Sequence, residues 1–247
     1  MEQPSPHALP FGRYRELLDQ EYRTLSNLVG PALDRPVPAC PGWTGEDLVR
    51  HTAIVFLQKA ETIRTGVRPS HGWPPVSVGS FPPQALLAHC YASLIEQFDA
   101  HEPGDRVETW VPEDQTVGFW IRRLTHETAI HRFDLEDTVA GGTTPLDAKL
   151  VLDGIDEVLT VMLGRGHPDP SASGAVVRLE AGGHSWDIRL DRRRAVVERD
   201  IAADGQATLR STAEPLLLWL WGRAPGPGPA AIEGPAAELR ARLAAAL

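Results

Sequence analysis

Apolar positions recur at helical spacing through the first two thirds of the chain and at a spacing of two after that, and this change of period predicts its organisation. Phe11, Tyr14, Leu18, Leu25 and Leu28 share one stripe, predicting a first helix that Gly30 and Pro31 end. Thr44, with Asp47 three residues on, is a capping-box-like start to a second helix that carries Leu48, Val55 and Ile63 and ends near Gly66. The segment from Pro69 to Pro83 holds five prolines and two glycines, which reads as too rigid and donor-poor for a helix. The stripe Leu87, Tyr91, Leu94, Phe98 then predicts a third helix. A fourth runs from about Val117 to Val139 with Trp120, Leu124, Glu127, His131 and Leu135 on one face, closed by Gly141 and Gly142. A fifth is signalled by Thr144 as cap, Pro145 at the first helical position and Asp147, followed by Val151, Ile155, Val158 and Met162.

Beyond Gly166, Val177, Leu179 and Ala181 alternate with polar positions, as do Trp186, Ile188 and Leu190. With Gly182-Gly183 between them, these runs predict a β-hairpin. Ala195 to Glu198 and Ala207 to Ser211 are shorter strand candidates, and a helix is expected over Leu216 to Trp221. The Gly/Pro-rich stretch Pro225 to Pro229 separates these from a terminal helix over Ala236 to Leu247. The expected fold class is α+β, with a helical domain over 1–165 and a small α+β domain over 166–247.

Composition narrows the function classes. At 42% hydrophobic the chain has ample material for a core, and its net charge of −9 repels phosphate backbones, so no nucleic-acid partner is expected. The longest apolar run, Leu216 to Trp221, is six residues. That is far short of the ~20 of a membrane span, and the N-terminus has no basic-then-apolar export pattern, so the expected location is the cytoplasm, with no membrane partner. Cys40 and Cys90 are the two cysteines and no C-x-x-C exists, so a metal must use His and carboxylate ligands.

The run His126-Glu127-Thr128-Ala129-Ile130-His131 is one residue longer than the zinc-protease pattern H-E-x-x-H. His126 and His131 would lie roughly 140° apart around a helix, too far to bind one ion together. Glu127 and His131 are four apart and project side by side. Such a pair serves equally as a surface ion pair, but Trp120, Leu124 and Leu135 on the same face point it inward, where a carboxylate needs a partner. His51 lies three after Leu48 and four before Val55, on the apolar stripe of the second helix. Alone it reads as a core imidazole bonded to backbone. Buried together, the two imidazoles and the carboxylate form a three-ligand set that fits Zn²⁺ or another divalent ion with a position left over. Trp43, beside the first ligand helix, is a candidate for lining the pocket or for simple packing, and Asp47 and Asp134 for orienting ligand imidazoles, although capping explains Asp47 as well.

Val37-Pro38-Ala39-Cys40-Pro41-Gly42-Trp43-Thr44 through His51, then Thr125-His126-Glu127 through His131-Arg132-Phe133-Asp134, and Leu216 through Trp221-Gly222-Arg223 together resemble the mycothiol-dependent maleylpyruvate isomerase family over nearly the whole chain. The resemblance implies a DinB-like four-helix bundle joined to a small α+β domain. It implies zinc held by His51, Glu127 and His131, mycothiol as the low-molecular-weight thiol cosubstrate, and Arg223 reaching toward the metal cleft to clamp a carboxylate of substrate or thiol. The function so implied is metal-dependent activation of the thiol for attack on a small electrophilic molecule. Addition followed by bond rotation and thiol expulsion gives cis–trans isomerisation, whereas displacement of a leaving group gives thiol S-transfer. A metal hydrolase using metal-bound water, with Glu136 or Asp134 as base, and a non-catalytic metal-binding module are the alternative readings.

Overall fold

The computed structural model describes residues 5–70, 72–139, 141–166, 168–199, 205–223 and 233–247. Two compact units form, one of residues 9–144 and the other of residues 145–247 with the short segment before Leu9. The first is a four-helix bundle: α1 (Phe11–Ala32), α2 (Gly45–Thr65), α3 (Pro83–Ala100) and α4 (Val117–Val139). The second carries α5 (Ala148–Glu157), strands β1 (Val176–Ala181), β2 (His184–Leu190), β3 (Ala195–Arg199) and β4 (Ala207–Ser211), and helices α6 (Ala213–Leu220) and α7 (Gly234–Ala246). The α+β class is as expected. The chain divides at Thr144/Pro145, whereas the change of period points to residue 165. The difference is α5, which packs against α6 in the second unit.

In the bundle, α4 is the central helix and is buried on most of its circumference, while α1 and α3 show one-sided burial. Pro31 does not end α1: at the last turn a missing N–H removes one hydrogen bond, and the helix continues to Ala32. In the proline-rich segment, the proline-free stretch Val76–Ser80 winds into a 3₁₀ turn that the composition did not suggest. Thr144 does not cap α5. Asp147 does, accepting from the N–H groups of Lys149 and Leu150, because Thr144 is drawn into a buried network with Glu136 and Arg132.

The sheet order is β3-β2-β1-β4, with β1–β2 and β2–β3 antiparallel and β1–β4 parallel. Gly182 and Gly183 both take positive φ, the type I′ geometry that a two-residue hairpin turn needs. Leu179 lies opposite Trp186 and Val177 opposite Ile188, and all four are fully buried, so the predicted register puts the apolar face inward. Arg192, Arg193 and Arg194 are exposed between β2 and β3. The Pro225–Pro229 stretch lies outside the described residues.

Candidate metal centre

The site is built from the first turns of α2 and the middle of α4. Thr44 and Asp47 form a reciprocal capping box, in which Oγ1 of Thr44 accepts from the Asp47 N–H at 3.3 Å and Oδ2 of Asp47 accepts from the Thr44 N–H at 2.8 Å. Asp47 is therefore a cap. Gly45 lets this turn approach α1 closely, since a Cβ there would collide with the carbonyl of Ala32. About two turns into α2, His51 reaches the face of α4 on which Glu127 and His131 are stacked one turn apart.

Nε2 of His51 lies 3.7 Å from Oε1 of Glu127, and Nε2 of His131 lies 3.9 Å from the same oxygen. One ligand atom from each of the three residues lies within 4.8 Å of the others, and the two imidazole rings stand at 89° with centroids 5.4 Å apart. A tetrahedral ion with bonds of ~2.1 Å sets neighbouring ligand atoms roughly 3.4 Å apart, so each imidazole needs to approach Glu127 by only a few tenths of an ångström, while the widest separation in the set, within 4.8 Å, closes by up to about 1.4 Å when all three bind one ion. Two neutral imidazoles and one carboxylate are donors suited to Zn²⁺ and its divalent neighbours.

Joint burial in the core, the sequence expectation, holds for only part of the set. The side chains of Glu127 and His131 are 14% and 12% exposed, but that of His51 is 40% exposed. The buried face of α2 is formed by Leu48, Val49, Ala53, Phe56, Ala60 and Ile63, and His51 stands at its edge. The cluster thus sits at the rim of the bundle.

Neighbouring charges fix its members. The buried Asp134 carboxylate is 3.2 Å from Nδ1 of His131, so an Nδ1–H donated there leaves the Nε2 lone pair facing Glu127. Burial pushes the Glu127 carboxyl up, but in the metal-free protein the adjacent His51 ring, the charge of Arg123 and that of the His131 imidazole in its protonated form outweigh it and bring the group down to about 2. The buried guanidinium of Arg123 has its Nε 3.6 Å from Oε2 of Glu127, on the carboxylate oxygen that does not face the imidazoles. Sequence reading passed over Arg123; the available signal was a charge four residues before Glu127 on an otherwise apolar stripe. The Trp43 ring lies 5.1 Å from that of His51 and walls one side.

Other candidates fall elsewhere. His126 is buried against Tyr14, with centroids 6.1 Å apart, consistent with the helical angle that separates it from His131. Both carboxylate oxygens of Glu136 accept hydrogen bonds, from Arg132 and Thr144, and Asp134 serves His131, so each base named for a hydrolase is committed to a hydrogen bond. Burial pushes the Cys90 thiol up to about 11, leaving it inert at neutral pH. Arg223 belongs to the second unit, where its Nη1 donates to the Trp221 carbonyl at 2.6 Å and its guanidinium stands 5.8 Å from the Trp221 ring.

Residues 14–136 match the family model of the mycothiol maleylpyruvate isomerase N-terminal domain. Residues 149–241 match that of the MDMPI C-terminal domain. The chain belongs to the mycothiol maleylpyruvate isomerase family. The resemblance read from the motifs is thereby borne out. The N-terminal match contains Trp43, His51, Glu127 and His131, and the C-terminal match contains Arg223. No curated protein and no solved structure matches the chain. Among the described residues, no helix is long and apolar enough to cross a membrane.

Proposed function

We propose that this protein is a metal-dependent cytoplasmic enzyme that activates a low-molecular-weight thiol, mycothiol, for addition or S-transfer to a small electrophilic molecule. The observation that carries the proposal is the convergence of Nε2 of His51, Oε1 of Glu127 and Nε2 of His131 at the rim of the bundle. A divalent ion such as Zn²⁺, when bound there, supplies Lewis acidity that lowers the pKa of a thiol and so makes a thiolate available at neutral pH. His51, Glu127 and His131 would hold the ion. Asp134 fixes the ring of His131, and Arg123 fixes the carboxylate of Glu127 from its far side. Partial exposure of His51 admits a ligand from solvent, while the Trp43 ring offers a flat apolar wall to it. Arg223 is assigned to hold a carboxylate of substrate or thiol by a paired hydrogen bond. Membership of the family supports the choice of thiol chemistry over hydrolysis, as does the engagement of Glu136 and Asp134 in structural hydrogen bonds.

The test is purification without chelator followed by metal analysis of wild type, His51→Ala and Glu127→Ala. Near-stoichiometric metal in wild type and its loss in both variants is the expected result; equal metal in all three removes the site. The metal-loaded protein is then incubated with mycothiol and a panel of electrophiles, with mass analysis for a thioether and chromatography for a changed double-bond geometry. Turnover that is independent of thiol would overturn the thiol reading in favour of hydrolysis. No turnover with any pair would make the protein a metal-binding module.

A further inference from the structure

In the second unit the guanidiniums of Arg223 and Arg240 both lie against the backbone of Trp221 and Gly222. Gly222, at φ +77°, ends α6, and a Cβ on it would collide with Nη2 of Arg240 from α7, so the Arg240 head group lies directly against the backbone that precedes Arg223. Gly222 therefore serves as a seat for a guanidinium as well as a left-handed helix end. Nη1 of Arg240 is buried and has no hydrogen-bond partner among the described residues. A buried cationic donor left in this state is expensive, and native structures satisfy such groups with a partner from the chain, an ordered water or a ligand. Neighbouring charge adds to the demand, because burial first and the charge of Arg223 second hold the Arg240 guanidinium below its ordinary pKa. Two like charges placed together and partly withdrawn from water are stabilised by an anion that accepts from both.

We propose that Arg223 and Arg240 form a paired-guanidinium site for an oxyanion, a carboxylate or a phosphate. The inference builds on the assignment of Arg223 to a carboxylate and adds Arg240 as a binding residue; it does not depend on the metal. The carboxylate source is a small organic acid, and the phosphate source is inorganic phosphate or a phosphate monoester.

Arginine side-chain N–H resonances of the full-length protein, titrated at constant ionic strength with malonate and, separately, with inorganic phosphate, provide the test. Saturable shifts confined to Arg223 and Arg240 are expected, and the anion that produces them identifies the source. No saturable shift with either anion overturns the proposal, as does an equal drift of all exposed arginines, which is screening. In Arg240→Gln the affinity should fall about tenfold or more, the usual range for one charged hydrogen bond. Arg240→Lys keeps the charge without the planar fork and should fall between the two. Unchanged affinity in both folded variants also overturns the proposal. Metal analysis of the same samples separates the two readings, since intact metal binding with no anion binding removes this site and leaves the metal centre standing.

Discussion

Glu127 is the residue at which the chemistry is decided, because its two oxygens have different tasks. Oε1 faces both imidazoles and Oε2 faces Arg123. Its folded pKa near 2 lies below the ordinary value of 4.5, so in the metal-free protein the charged carboxylate contributes stability that is complete above about pH 4.5 and is lost as pH falls toward 2. Thermal midpoints of metal-free wild type and Glu127→Gln should therefore converge across that window, and a gap that stays constant through it would contradict the assignment. Asp134 acts through His131. Asp134→Asn should lower metal affinity by about 10- to 100-fold without changing stoichiometry, as measured by competition with a chromophoric chelator. Retention of wild-type affinity would show that the ring is oriented by other contacts.

Elements were legible wherever a local signal had no competitor. The hairpin followed from alternation around Gly182-Gly183, and the Glu127/His131 stripe followed from α4's period. Where two signals competed, only tertiary contacts resolved them. Thr144 and Asp147 both look like caps, and the buried Arg132 takes Thr144, hydrogen-bonding to its side chain, to Glu136 and to Glu21. The half-exposure of His51 was not legible either, because Leu48 and Val55 bracket it on the helical wheel while the true buried face is rotated toward Val49 and Phe56. The same Arg132 network joins α1 to α4 through Glu21. Arg132→Met strands two buried carboxylates and should destabilise the protein by about 3–5 kcal/mol in denaturant unfolding. Replacing Glu21 and Glu136 by Gln in the same background should recover part of that loss.

The whole molecule is two units with separate cores, and all three candidate ligands come from the first. Metal should therefore act on folding by mass action: free ion at a hundred times its Kd should raise stability by about 2.7 kcal/mol, and chelator should remove the gain. In His51→Ala most of this increment should vanish, and an undiminished increment would place the ion elsewhere.

Two of the three ligands ride on α4 and one on α2, and among the described residues no other element supplies a donor to the set. Glu127 and His131 therefore move as a rigid couple, and the aperture between them and His51 is a gauge of how far apart these two helices stand. Side chains buried where α2 faces α4 become determinants of ionic radius: trimming them draws the helices together and favours small, tightly coordinated cations, while enlarging them opens the jaws toward bigger ones.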